Sequence, residues 1–271
     1  MSDFSERVAA VLGVAPSNVA PLVPDSLSEV LLVTWPDGRR SVAKHSSAAG
    51  VEASMLRALL AADAPAPAVE AEHQAQNVLV LEYVANDGLF DASAWASLGT
   101  RLRFLHTPSA EDYGWPDDFA IGCVDLGNGR TRDWPAFWAE GRLVATARGL
   151  DRPWRERVDR VAARIRDWLP AAPPAALLHG DLWTGNMLVH GGRLVGLVDP
   201  ACCFGDAEAD LAMLALFSSP PEQFGEAYGA LHPGWRERRP VYQLFPALLH
   251  ARLWGERRFS MVDRVLGEIG F

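Results

Sequence analysis

The stretch from His179 to Asp199, HGDLWTGNMLVHGGRLVGLVD, constrains this chain more than any other. Two Asp and one Asn stand among apolar runs. Leu177-Leu178 predicts a short buried approach, after which Asp181 and Asn186 fall five positions apart on a loop. Met187 to Val189 reads as a strand, Gly191-Gly192 as a two-residue turn and Leu194 to Val198 as the returning strand. So tight a turn brings Asn186 and Asp199 side by side at the open end of the hairpin. Three oxygen-bearing side chains then converge. Such a set suits a hard divalent cation such as Mg²⁺, which takes one or two carboxylates plus phosphate oxygens.

An Asp-x4-Asn spacing by itself also suits an ordinary polar loop. The His before it, the hairpin after it and the Asp ending the hairpin make the compound pattern specific. The kinase signature is H-R-D-L-x-x-x-N followed by D-F-G. HGDLWTGN keeps the Asp-to-Asn spacing, and Asp199-Pro200-Ala201 keeps the second Asp alone. The stretch resembles the kinase-like small-molecule phosphotransferases. More narrowly it is similar to the fructosamine (ketosamine) kinases, whose loop reads HGDLWxGN. DPACCFGDAEADLAMLALF resembles that family's DPAxxxGxxExDLAM…LF block, and RRPVYQLFPALLHARLWG its YQLYxLLxHxxLFG helix. Aminoglycoside phosphotransferases share HGD…N and the later Asp, but generally not the Trp or the E-x-D-L-A-M run.

The resemblance implies a two-lobed, protein-kinase-like α+β fold, with a small antiparallel-sheet lobe over residues 1–86 and a mainly helical lobe over 87–271. It implies ATP between the lobes and a ketosamine acceptor. Asp181 would orient or accept the proton of the acceptor hydroxyl, and Asn186 and Asp199 would hold Mg²⁺. Asp210 would anchor the catalytic loop by accepting its backbone N–H groups. The backbone of Glu82, Tyr83 and Val84 would meet adenine at the hinge. Trp183 and His250 would line the acceptor pocket; Glu208 would be either structural or a partner for a cationic substrate. Two rivals stay open. One is another kinase of this fold, acting on an aminoglycoside, a choline-like alcohol or a sugar. The other is a nucleotide-binding pseudokinase.

Composition sharpens one site. The chain has 25 Lys plus Arg, and a single one, Lys44, is lysine. A sequence that favours Arg elsewhere but keeps Lys here points to a place where a wide planar fork cannot replace a compact point charge. Val30–Val33, Pro36-Asp37-Gly38 and Ser41–Lys44 read as strand, turn and strand, with Lys44 ending the second. Kinases carry their phosphate-gripping lysine in that context. Ser46-Ser47 can cap the helix Ala48–Ala61. Val51, Met55, Leu56 and Leu59 form its apolar face, and Glu52 lies on that face. An inward carboxylate needs a partner, and Lys44 is the natural one.

The remaining chain is read more coarsely. Residues 2–12 form a short helix, and 69–72 and 77–84 two more strands. Asn86-Asp87-Gly88 marks the boundary between lobes. Trp95, Leu98, Leu102 and Leu105 make an amphipathic face that ends at His106, a packed or capping residue. Residues 113–128 read as a loop. Pro246 interrupts the last helix. Where the family carries glycines before its first strand, this chain has Val23 to Glu29 with none, leaving Ser26 and Ser28 as hydroxyl donors to phosphate.

At 49% hydrophobic and 22% charged, 271 residues suit a soluble chain of about two domains. No apolar run reaches the ~18 residues of a membrane span. The acidic, amphipathic start does not look like a signal peptide. Three cysteines, two of them adjacent, are no disulfide framework and fit a reducing cytoplasm. A net charge of −9 argues against nucleic acid as a partner.

Overall fold

The computed structural model describes residues 3–23 and 28–271, apart from the side chain of Glu256. Ser26 therefore lies outside the described residues. The expected two-lobed, protein-kinase-like α+β architecture is present. The chain begins with α1 (Asp3–Leu12), β1 (Asn18–Pro21), β2 (Val30–Thr34), β3 (Arg40–His45), α2 (Ala49–Ala61), β4 (Val69–His73) and β5 (Val78–Glu82). These strands form one antiparallel sheet in the order β1-β2-β3-β5-β4. β1 was not evident in the sequence, because Asn18-Val19-Ala20-Pro21 is too short and polar to alternate clearly.

β5 shows why the sheet has two covered faces. Val78, Leu79, Val80 and Leu81 are all buried. Val78 and Val80 pack with Phe4 and Val8 of α1, while Leu79 and Leu81 join Met55, Leu56 and Leu59 of α2. A strand apolar at every position needs cover on both sides, and two helices supply it. On β3, Ala43 faces the α1 side at 0% exposure, so its neighbour Lys44 faces α2. Register places Lys44 between Val30 and Leu79.

The larger lobe runs through α3 (Ala92–Leu105), β6 (Pro108–Ala110), β7 (Phe119–Ile121), β8 (Val124–Leu126) and α4 (Trp134–Trp138). A π-helical turn, Ala139–Val144, leads into α5 (Ala145–Ala147) and α6 (Arg152–Ala163). Then come β9 (Ala175–Leu178), β10 (Met187–His190), β11 (Arg193–Leu197), β12 (Cys203–Gly205) and α7 (Glu208–Phe217). The chain ends with α8 (Glu222–Tyr228), α9 (Trp235–Trp254) and α10 (Phe259–Ile269). The stretch expected as a loop contains the β7–β8 hairpin. α9 is also not interrupted: it passes through Pro240 and Pro246, and α10 follows it.

The apolar core is continuous between lobes. Met55, Leu56 and Leu59 of α2 share a cluster with Leu98 and Leu102 of α3 and with Met187, Val189, Leu194 and Leu197 of the β10–β11 hairpin. The hairpin is also tied by backbone. Asp87 N donates to Val189 O at 2.9 Å, Gly191 N to Asp87 Oδ2 at 2.9 Å, and Leu197 N to Pro65 O at 2.8 Å. Gly191 and Gly192 both have positive φ, as a mirror-image two-residue turn requires. Cys202 and Cys203 are buried free thiols, and burial pushes both thiol pKa values up. Among the described residues no helix is long and apolar enough to cross a membrane.

The larger lobe is held by a buried aromatic and polar knot. Trp134 and Tyr242 are both 0% exposed. Tyr242 Oη donates to Asp206 Oδ2 at 2.6 Å and accepts from Trp134 Nε1 at 2.9 Å. Tyr242→Phe should therefore lower unfolding stability by about 1–3 kcal/mol, because it strands two buried polar groups while keeping the ring. Denaturant titration measures this; a loss well below about 1 kcal/mol would mean that other groups satisfy both atoms.

Candidate active site

The loop between β9 and β10 is shaped by its own backbone. Gly180 has φ +81°, and a Cβ there would lie 2.0 Å from Ala201 O, so this position demands glycine. Ala201 N donates to His179 O at 2.9 Å, which ties the loop to the segment after Asp199. Asp210, in the first turn of α7, accepts from His179 N at 2.7 Å and Gly180 N at 2.9 Å. His179 Nε2 lies 3.0 Å from Val198 O, an atom that can only accept, so Nε2 carries the proton. Its Nδ1 accepts from Asp181 N at 3.3 Å. Burial lowers the His179 pKa and keeps that tautomer neutral.

Asp181 is fixed from its other side by Asn186. The amide Nδ2 of Asn186 donates to Asp181 Oδ2 at 2.8 Å and to its carbonyl at 2.9 Å. Val198 N donates to Asn186 O at 3.0 Å, so Asn186 sits beside the residue preceding Asp199, as the hairpin pattern predicted. Burial pushes the Asp181 carboxyl up to about 7, and the charges of Asp199 and Asp210 act in the same direction. Hydrogen bonding from Asn186 and the charge of Lys44 oppose that rise. A carboxylate that titrates near neutrality is well matched to proton abstraction.

Across the cleft, Lys44 Nζ lies 2.7 Å from Glu52 Oε1 and 2.7 Å from Asp199 Oδ1. Burial works against the ammonium, but the two carboxylates outweigh it and raise the Lys44 pKa. Glu52 is 2% exposed, and its second oxygen accepts from Ser46 Oγ at 3.0 Å. Ser46 thus does not cap α2, which has no side-chain cap; its hydroxyl is taken by Glu52. Asp199 adopts φ +52°, a conformation that non-glycine residues seldom hold outside functional or strained positions. Its side chain is 50% exposed.

The remaining expected positions divide. Trp183 lies over Gly185, where a Cβ would meet the indole at 2.2 Å. Its ring meets Phe217 edge-on at 6.3 Å, and Phe217 stacks on His250 at 4.3 Å. Burial, with Arg258 nearby, pulls the His250 pKa down to about 4, so the ring is neutral at pH 7. Glu208 does not join this wall. It is 4% exposed and both its oxygens accept from Arg238, each at 2.6 Å. Of the two roles open for Glu208, this pairing favours the structural one over a partner for a cationic substrate, since its charge is already matched inside the protein. At the hinge, Glu82 N donates to Ala68 O at 2.8 Å, so that N–H is not available to a base. Tyr83 carries Arg40 over its ring at 4.0 Å, and Val84 O accepts from Asn86 Nδ2 at 3.3 Å.

Sequence reasoning missed Ser46 and Arg238. Ser46 falls six residues before the Glu it serves, the spacing at which a strand end meets the first turn of the next helix. Arg238 is 30 residues from Glu208 and gave no local signal.

A model of the fructosamine kinase family matches residues 41–269. A probable ketoamine kinase of Synechocystis is 32% identical over 219 residues, 78% of this chain and 73% of that protein. A probable ketoamine kinase of Enterococcus faecium is 32% identical over 180 residues, 62% of this chain; the match spans just under two thirds, 65%, of its length. A crystal structure of a "putative fructosamine-3-kinase" from Thermobifida fusca superposes with a TM-score of 0.83 at 28% identity, covering 98% of both chains.

Lys44→Arg tests the point-charge argument. The space between Glu52 and Asp199 fits one ammonium, and a guanidinium presents its charge over a wider plane. Phosphoryl transfer should fall severely while circular dichroism and thermal unfolding stay near wild type. Wild-type kinetics in the variant would mean that Lys44 does not contact the phosphates.

Proposed function

This chain belongs to the fructosamine kinase family, and on that premise we propose that it transfers the γ-phosphoryl group of ATP to a hydroxyl of a ketosamine, a sugar joined through an amine. The reaction would serve the repair of glycated amines. The meeting of Lys44, Glu52, Asp199, Asn186 and Asp181 at one cleft carries the reading. Lys44, set by Glu52 and Ser46, is the point charge for the phosphates. Asp181 receives or orients the proton of the acceptor hydroxyl, and its hydrogen bond from Asn186 holds it in place. The carbonyl of Glu82 and the backbone of Tyr83 and Val84 are the hinge contacts for adenine. The lobes divide at 86/87, within the segment that Asp87 ties to the hairpin.

Asn186 and Asp199 fit Mg²⁺. The amide nitrogen of Asn186 is spent on Asp181, so the group it offers elsewhere is its oxygen. Asp199 offers a half-exposed carboxylate. Among the described residues no cluster of three or more His, Cys, Asp or Glu could hold a metal. Two protein oxygens suit an ion that completes its coordination with phosphate and water. When bound, such an ion neutralises charge on the transferred group. The free thiols suit a reducing cytoplasm.

For the acceptor, Trp183 supplies an apolar face for sugar C–H groups and a π face for a nearby ammonium, an attraction of about 0.5–2 kcal/mol. Phe217 and His250 extend that wall. A coupled ADP-release assay over ketosamines, aminoglycosides and free sugars tests the assignment. We expect the highest kcat/KM for a fructose- or ribulose-amine. Equal rates on free fructose or ribose would refute the ketosamine acceptor while leaving a kinase. Trp183→Ala should narrow the preference for the amine adduct instead of scaling both rates together.

Asp181→Asn should lower kcat by roughly 10²–10⁴, the range for a positioned general base. ATP affinity, followed by fluorescence titration, should stay near wild type. A kcat loss of less than about tenfold would exclude Asp181 as the base.

A further inference from the structure

The support of the catalytic loop does not end at Asp210. Asp210 Oδ2, which accepts from His179 N at 2.7 Å, also lies 3.3 Å from His106 Nε2. His106 Nδ1 lies 3.0 Å from Tyr228 Oη. The proton between His106 and Asp210 can be placed. Burial opposes the Asp210 charge, but hydrogen bonding from His106 and from the Gly180 N–H helps to outweigh it and lower the Asp210 pKa. An ionised carboxylate only accepts, so His106 Nε2 donates to it. On its other side the ring pairs through Nδ1 with the Tyr228 hydroxyl. The result is a hydrogen-bonded chain, Tyr228 to His106 to Asp210, meeting the two loop N–H groups at the same carboxylate.

Three helices bring this chain together. Tyr228 is the last residue of α8, His106 follows the last residue of α3, and Asp210 is in the first turn of α7. The side chains of His106 and Asp210 are each 2% exposed. α3 and α8 touch at Gly99, where a Cβ would lie 2.6 Å from Phe224 O and 3.0 Å from Tyr228 N. A side chain at that position would push Tyr228 away from His106. The phenol ring is aimed independently of its hydroxyl: it stacks on Phe224 at 5.8 Å and 14°, and meets His106 edge-on at 5.7 Å. Packing alone would accept phenylalanine there. The hydroxyl matters for its bond to His106.

We infer that Tyr228 and His106 are positioning residues for phosphoryl transfer: their hydrogen-bonded chain fixes the orientation of Asp210, and through it the His179–Gly180 backbone that aims Asp181. The inference rests on Asp181 acting in phosphoryl transfer and is indifferent to which acceptor is used. With the chain cut, Asp210 can turn about its side-chain bonds, and the loop it holds loosens. An error of about 1 Å in a reacting group costs up to about a hundredfold.

Tyr228→Phe removes the hydroxyl and keeps the ring. It should lower kcat about tenfold, within the range for slight misplacement, with KM for ATP and acceptor unchanged. Amide hydrogen exchange at His179 and Gly180, read by NMR, should speed up, an effect that needs no turnover. His106→Phe should lower kcat at least as far, and the double variant no further than His106→Phe alone, since both act through one path. Three results would each overturn the inference. One is wild-type kcat and exchange in Tyr228→Phe. Another is a lowered Tm with unchanged kcat measured well below it, which marks a purely structural role. The third is a double variant that loses the product of the single losses. A wild-type protein with no phosphoryl transfer to any acceptor would sink the reading of Asp181 instead, and the exchange measurement would still test the chain.

Discussion

One ammonium group lies between two carboxylates from different lobes. Lys44 comes from β3, Glu52 from α2, and Asp199 from just past β11, 155 residues away. Charges so poorly exposed are costly unless matched: the side chain of Lys44 is 14% exposed and that of Glu52 2%. Removing Lys44 would leave two carboxylates facing each other, and removing either carboxylate would leave the ammonium with a single partner. The demand fixes the rotation of α2 against the sheet, because Glu52 must reach Lys44 from a helix whose other inward positions are apolar. It also fixes where the β10–β11 hairpin ends, because Asp199 must arrive within hydrogen-bond distance of the same nitrogen.

The loop between β9 and β10 follows a second rule, which is that buried backbone needs partners. Its N–H groups at His179 and Gly180 lie between the end of β9 and a short 3-10 turn at Thr184–Asn186 and have no strand to pair with. Asp210 serves both. A carboxylate in that place does more than satisfy them. Its negative charge, with that of Asp199, helps to raise the Asp181 pKa, so the group that shapes the loop also tunes the carboxyl the loop carries. Gly180 is the remaining requirement, since any Cβ would strike the Ala201 carbonyl.

Much of this was legible in the sequence where the physics is local. Hairpin pairing places Asn186 beside the end of β11, and a gap of eight residues brings Lys44 to Glu52 across one strand-to-helix turn. The resemblance to known kinases carried the two-lobed fold and the anchoring place of Asp210. What was not legible depends on distant or unpatterned contacts. Arg238 takes Glu208 because α9 returns past α7, and nothing near either residue in the chain says so. Tyr228 meets His106 across 122 residues, through a close helix contact at Gly99. β1 and the β7–β8 hairpin have too few alternating residues to stand out from loops. Ser46 looked like a helix cap because its residue type favours that role; an inward carboxylate in the first turn of α2, six residues on, competed for the same hydroxyl and won.

The two carboxylates on Lys44 are not equivalent, and the difference bears on how the cleft works. Glu52 is enclosed, with one oxygen on Lys44 and the other on Ser46. Asp199 is half exposed and, among the described residues, is hydrogen-bonded to Lys44 alone. Its backbone, at φ +52°, lacks the relaxed geometry of the strand before it. Of the pair, Asp199 is the one able to turn toward another cation, whereas Glu52 is held on both oxygens. Lys44 therefore keeps a fixed counter-charge when its second partner is drawn away. An ammonium relieved of one carboxylate keeps its charge matched by Glu52 but has N–H donors freed toward the cleft, where a phosphate oxygen would be their natural acceptor. The same asymmetry accounts for a lysine in this place: a point charge can exchange one partner for another without moving its stem, while a planar fork bound by two carboxylates would have to break both contacts at once.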